Sequence, residues 1–351
     1  MDTPHVAVDR TVLRRNIDAM ATATRDAGLD LRPHAKTHKC AEIGRMQLDA
    51  GAVGLTVATI GEAQAFAAAG FDDLFIAYPL YLSGDKARRL TEVAGTASVR
   101  VAVDSVEGAV AMADALGDAR DRLEVLVEVD SGHHRTGIAP ARAGEVAQAA
   151  VDVGLRVIGV FTFPGHGYSP DARSLAARQE RDALASAADE LTARGIDAGV
   201  RSGGSTPTVG FADADVLTEV RPGVYPFNDA QQHHLGRAGR DDLALGVVAT
   251  VVQRGPGRFV LDAGSKVLGS ERPAYVDGHG MLPDHPGTTV VALSEHHATV
   301  ETTGTAPGLG SIVRVVPNHV CITVNLVDEL VVTDGGVEVD RWRVIARGAN
   351  A

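Results

Sequence analysis

From Thr11 to about residue 230 the chain alternates two patterns. Short runs of Val, Leu and Ile read as buried strands, and longer Ala-rich stretches carry apolar residues at helical spacing. The first helical stretch is typical: Asp9 or Thr11 can cap its start, Leu13, Ile17 and Met20 share a face, and Gly28 suits its end. An extended run at 29–32 follows and stops at Pro33. Strand-like runs recur at 54–58, 74–77, 99–103, 123–129, 155–163, 199–201 and 218–221, and several intervening helices close on Gly51, Gly70, Gly154 or Gly195. Strands alternating with helices in series predict an α/β fold, a parallel (β/α)8 TIM-like barrel over residues 9–232. Beyond residue 235 the helical spacing disappears. Runs at 243–253, 258–262, 289–293, 298–302, 311–316, 322–328 and 338–345 read as strands joined by Gly, Pro and Asp turns. They predict a β-rich C-terminal domain over 233–351, which residues 1–8 join through a strand at 4–8.

Composition narrows the function. A length of 351 residues with 45% hydrophobic and 22% charged content is that of a globular protein with a large core. The formal net charge of −12, with no basic block to offset it, excludes nucleic acid and anionic membrane as partners. No apolar run approaches the roughly 20 residues a membrane span needs. The opening Met-Asp-Thr-Pro-His lacks the basic and apolar regions of a signal peptide. Cys40 and Cys321 are the only cysteines, too few for a disulfide framework, so the expected location is the cytoplasm.

A barrel of this kind carries its active site at the C-terminal ends of its strands. Lys36, in Arg32-Pro-His-Ala-Lys-Thr-His-Lys39, follows the first barrel strand. A lysine desolvated there can present a neutral amine that condenses with an aldehyde. Asp130 and Arg135 follow the fifth strand, and His166 and Tyr168 follow the sixth. Ser202, Gly203, Gly204 and Ser205 follow the seventh, and Gly223 and Tyr225 the eighth. The last two loops are where such barrels bind phosphate, because small residues let backbone N–H groups approach the oxygens. Gly-Gly-Ser alone is an ordinary turn. Opposite a strand-one lysine, it completes what pyridoxal 5'-phosphate (PLP) requires. In that arrangement Arg135 is a fixed cation near the cofactor's phenolic oxygen, and His166 a packing face or proton carrier above its ring.

In the β-rich domain, Pro317-Asn-His-Val-Cys321 places His319 and Cys321 two apart. On a strand both side chains point the same way. Imidazole with thiolate favours zinc among divalent metals. Spacing alone favours the plainer arrangement, a buried cysteine beside a half-buried histidine.

These residues match a family. The chain resembles the fold-type III PLP enzymes, founded on alanine racemase, and within them the branch of D-serine dehydratase and D-threonine aldolase, over nearly its whole length. Arg32-Pro-His-Ala-Lys-Thr-His-Lys39 matches the branch's Schiff-base motif and maps the cofactor lysine to Lys36. Ser294-Glu-His296 and Pro317-Asn-His-Val-Cys-Ile-Thr-Val-Asn325 match its C-terminal signatures. The resemblance implies a Zn2+ (or other divalent metal) site on His319 and Cys321, and a homodimer whose sites form between subunits. It also implies a small D-3-hydroxy amino acid as substrate. Dehydratases of the branch tend to carry Cys at the second ligand and aldolases Asp, so Cys321 points to β-elimination, with D-serine giving pyruvate and ammonia. The alternatives are retro-aldol cleavage of D-threonine, dehydration of 3-hydroxyaspartate, and a non-catalytic PLP-binding protein. The last resembles the barrel alone, which residues 235–351 oppose.

Overall fold

The computed structural model describes residues 2–351. The first strand, β1 (His5–Asp9), leads into the helix Arg10–Asp26. Asp9 Oδ1 accepts from Val12 N–H at 3.0 Å, so the side chain caps the helix. Leu13, Ile17 and Met20 are buried along one face, as their spacing predicts. Gly28, at φ 74°, turns the chain out of the helix in a conformation that costs glycine little.

The eight expected barrel strands are present. They are β2 (Asp30–Leu31), β3 (Leu55–Val57), β4 (Asp73–Pro79), β5 (Ser98–Val103), β6 (Leu123–Glu128), β7 (Arg156–Phe161), β8 (Val200–Gly203) and β9 (Glu219–Val220). All pair in parallel in the order β2-β9-β8-β7-β6-β5-β4-β3. A parallel bridge between His34 and Thr56, with Val53 N–H donating to Leu31 O, joins the two ends of that path. Inside, Phe75, Ala102, Leu126, Ile158 and Phe161 form an apolar cluster, with Phe75 and Phe161 edge to face at 5.0 Å.

The interior also holds charges. Arg32, 1% exposed, donates to Glu219 at 2.7 Å and to both oxygens of Asp73. Arg100 bridges Glu219 and Glu124, and Ser202 Oγ donates to Glu219 at 2.5 Å. Buried charge is tolerated where each group finds a partner. Burial alone would raise the Glu219 carboxyl, but Arg32, the Ser202 hydroxyl and Arg100 hold it below the usual range.

The second sheet contains β10 (Leu245–Gly255), β11 (Arg258–Leu261), β12 (Thr288–Leu293), β13 (Ala298–Thr302), β14 (Ile312–Val315), β15 (Glu329–Asp334) and β16 (Val337–Arg343). Its order is β12-β13-β11-β10-β1-β15-β16, with β14 also on β10. The N-terminal strand β1 pairs with β10 and β15, as expected for residues 4–8. Two expectations fail. Residues 322–328 are not a strand: Val320–Asn325 is a short helix. β15 was not anticipated. Nor does the chain divide at one point. One compact unit comprises Met1–Ala19, Thr37–Met46 and Val224–Gly348, and the other Met20–Lys36, Gln47–Gly223 and Ala349–Ala351. The expected boundary near 232 lies close to the one at 223, but segments 9–19 and 37–46 belong with the β-rich unit.

Candidate active site

Beyond β2 the chain makes a single 3-10 turn, Ala35–Thr37, that carries Lys36. His34 N–H donates to Pro222 O, tying this turn to the loop after β9. Lys36 is half-buried and makes no ion pair with a carboxylate among the described residues. Its Nζ lies 5.8 Å from the centre of the Phe163 ring, and the Arg135 guanidinium lies 5.1 Å from the same ring. Phe163, absent from the expected set, therefore gathers the loops after β2, β6 and β7. His133 meets that ring edge to face at 5.6 Å and Tyr168 tilts against it at 6.4 Å. Burial, Arg135 and His166 together lower the pKa of His133, which favours a neutral imidazole.

The other rim residues divide between site and scaffold. Asp130 accepts from the N–H groups of Gly132 and His134 at 2.8 and 3.0 Å and pairs with the His134 ring, so it shapes its own loop. His166 Nε2 is 2.9 Å from Gln179 Oε1. Its Nδ1 is buried without a partner. Glu128, under the same loop, accepts from Thr136 at 2.9 Å, and burial pushes its carboxyl up to about 7.

The loop after β8 differs from the cradle drawn from sequence. Ser202 Oγ is committed inward, to Glu219 and to Arg221 at 2.5 Å. Gly204, at φ 74°, directs its N–H onto Glu180 Oε1 at 2.6 Å. Ser205 donates its N–H to Thr208 Oγ1 at 3.0 Å, and the two hydroxyls are 2.9 Å apart. A Cβ on Gly203 would lie 2.4 Å from Glu180 Oε1, so the glycine makes room for a carboxylate behind the loop. Glu180 is fully buried, and burial pushes it up to about 7. Arg221 was also missed. It is 5% exposed, donates to Thr162 O and Ser202, and packs on the rings of Phe75 and Phe161. An arginine directly after the strand that carries Glu219 was the available signal. Tyr225, four residues on, is buried in the β-rich unit.

In that unit His319 is the residue before the helix Val320–Asn325, and Cys321 lies in its first turn. They approach through a helix start, not through strand alternation. Cys321 is within hydrogen-bond reach of the His319 ring, and its Sγ donates to Thr37 Oγ1 at 3.2 Å. Thr37 is bonded to Lys36. Lys39 Nζ donates to Asn325 Oδ1 at 2.7 Å, so the second half of the lysine motif is fastened to this helix. His319 Nδ1 is buried without a hydrogen bond, while Asp229 Oδ2 lies 3.4 Å away, near enough for an ion pair but not aligned as a hydrogen bond. Burial alone would lower the pKa of His319, but Cys321 and the Asp229 carboxylate outweigh it and raise the value well above that of free imidazole.

The chemistry of both sets of residues matches the groups the family carries. A neighbouring cysteine sulfur and an imidazole backed by a carboxylate suit a borderline-soft cation. Among the described residues no three or more His, Cys, Asp or Glu side chains are grouped for a metal. A half-buried lysine without a counterion, beside an arginine on one aromatic ring, suits an aldehyde with an adjacent anionic oxygen.

A parallel barrel with a rim lysine and an appended β-rich unit defines a fold-type III PLP enzyme. Residues 8–230 match the family described as alanine racemase, N-terminal domain, and residues 244–333 match the putative serine dehydratase domain. A D-threonine aldolase of Arthrobacter sp. is 35% identical over 99% of this chain and 93% of its own length. A D-threo-3-hydroxyaspartate dehydratase of Delftia sp. (strain HT23) is 33% identical over 92% of each. Solved structures of a D-threo-3-hydroxyaspartate dehydratase include variants in which a histidine, or a cysteine two positions later, is replaced by alanine. Each superposes with a TM-score of 0.89 at 29% identity, covering 98% of this chain and 95% or 97% of the other, and the cysteine variant is described as metal-free. The chain belongs to this family of PLP-dependent lyases.

Proposed function

We propose that the protein eliminates water from a small D-3-hydroxy amino acid, with D-serine giving pyruvate and ammonia as the leading reaction. The observation that carries this reading is the His319–Cys321 pair, whose cysteine bonds Thr37, the residue that follows Lys36 in the chain. When bound, PLP supplies an electron sink for charge developing at Cα, and a divalent metal, zinc by its ligands, supplies a Lewis acid for the β-hydroxyl.

The chain's own groups do the rest. Lys36 would hold the cofactor through Nζ and would take the α-proton on that same atom. Arg135 would face the cofactor's phenolic oxygen, and the Phe163 ring carries both Arg135 and Lys36. The loop at Gly203, Gly204 and Ser205, with Gly223, would receive the phosphate once the Gly204 and Ser205 N–H groups leave Glu180 and Thr208; Ser202 braces that loop through Glu219 and Arg221. His166 and Tyr168 line the same rim, and Tyr225 completes the binding set. His319 and Cys321 hold the metal, a role supported by the metal-free cysteine variant of the related dehydratase. The same reading carries a cytoplasmic homodimer. No helix of the described residues is long and apolar enough to cross a membrane.

A second reading, retro-aldol cleavage, is favoured by the D-threonine aldolase relative at 35% identity. A third, dehydration of 3-hydroxyaspartate, is favoured by the relative at 33%. Product analysis with D-serine, D-threonine and D-threo-3-hydroxyaspartate separates them. Pyruvate from D-serine as the fastest reaction is expected; glycine and acetaldehyde as the main products would sink the proposal. Cys321→Asp is expected to move the product ratio towards glycine.

A further inference from the structure

We infer that Asp229 is a positioning residue for the metal: its carboxylate holds a proton on His319 Nδ1 and thereby leaves Nε2 as the ligating nitrogen. This rests on the metal reading of His319 and Cys321. Asp229 is 0% exposed and lies just before the helix Ala230–His234. Its two oxygens do different jobs. Oδ1 accepts from Gln232 N–H at 2.9 Å, an ordinary helix cap. Oδ2 faces the other element: it accepts from Val320 N–H at 3.3 Å and lies 3.4 Å from His319 Nδ1.

Both the ring of His319 and the backbone that follows it are thus referred to one carboxylate oxygen. Nδ1 has no other partner and no solvent, whereas the His319 side chain retains 20% exposure, so its accessible surface lies elsewhere on the ring. A neutral imidazole is a donor at one nitrogen and an acceptor at the other. An acceptor-only carboxylate beside Nδ1 selects the tautomer with the proton there and the lone pair on Nε2. Capping alone needs one carboxylate oxygen. The second, aimed between Val320 and His319, is what a ligand-orienting role requires.

Asp229→Asn separates the two jobs, because asparagine caps a helix as well as aspartate does. Purified full-length protein, loaded with PLP and freed of metal, is titrated with Zn2+ against a chromophoric chelator and separately with Co2+. The wild type is expected to bind both and to show a thiolate-to-cobalt charge-transfer band from Cys321. Asp229→Asn is expected to keep the band and the melting temperature of the metal-free protein, and to bind Zn2+ about 10–100-fold more weakly. Wild-type affinity in the variant would overturn the inference. A wild type without the cobalt–thiolate band would overturn the metal reading itself. Should the variant not fold, 15N-histidine NMR of zinc-loaded wild type decides: a protonated Nδ1 with zinc on Nε2 supports the assignment, and zinc on Nδ1 contradicts it.

Discussion

The barrel interior and the surroundings of His319 bury polar groups in different ways. Inside the barrel, Arg32, Arg100, Glu219, Ser202 and Arg221 form a chain in which each side chain has a named partner. Buried atoms without a hydrogen bond occur in both units: His319 Nδ1, Asn318 Oδ1, His279 Nδ1 and both amide atoms of Gln232 in the β-rich unit, and Glu128 Oε2, His166 Nδ1 and Glu180 Oε2 beside the barrel network. A satisfied network holds a fold in register, and an orphaned buried group costs about 1–3 kcal/mol. Of these atoms, His319 Nδ1 has the Asp229 carboxylate 3.4 Å away.

The contrast can be broken from either side. The largest effect is expected at His319→Ala, where loss of a Lewis acid worth several kcal/mol lowers turnover of D-serine by roughly a thousandfold. Calorimetry of the metal-free variant should nonetheless show an unchanged melting temperature. Glu219→Ala should do the reverse. Urea titration is expected to show about 3–5 kcal/mol of lost stability, because Arg32 and Arg100 are left buried without their shared carboxylate. If His319→Ala were the more destabilising of the two, the distinction between scaffold and site would fail.

A smaller effect sharpens the comparison within the barrel. Glu180 has its folded pKa raised to about 7 by burial, which outweighs the Gly204 N–H and Arg221. An unfolded glutamate titrates near 4.3, or about that. The stability tied to Glu180 is therefore present in full below about 4.3 and lost as pH rises through about 7. Glu180→Gln should gain about 1–3 kcal/mol relative to the parent between pH 5 and pH 8, read from urea midpoints. Glu219, lowered mainly by Arg32, has the opposite sign. Its contribution is present above the unfolded value and lost as pH falls through the folded one.

Much of this was legible before any coordinates. The eight barrel strands, the cap at Asp9 and the pairing of the N-terminal strand follow from periodicity and punctuation. So did the rim placement of Lys36, Arg135 and His166, because a barrel fixes where strand ends lead. What stayed hidden depends on groups distant in sequence. Val320-Cys-Ile-Thr-Val-Asn325 is β-branched and reads as a strand. Asp229 accepting from Val320 N–H, and Thr323 donating to Leu268 O at 2.9 Å, hold it as a helix instead. The glycines after β8 suggested an open cradle. Glu180, from the helix Arg173–Thr192, already occupies one of its N–H groups. The strand β15 left a signal in its apolar run before Asp334-Gly-Gly, a hairpin turn that was readable and not read.

In the proposed reaction, cofactor binding and metal chemistry are separate duties of one lyase. Their separation is read by following the visible absorbance of the bound PLP and the formation of pyruvate from D-serine in one sample, before chelation, after it and after zinc is restored. Chelation is expected to abolish pyruvate formation while leaving the absorbance in place, and zinc to restore it. Pyruvate formation that persists undiminished in the chelated protein would contradict the account.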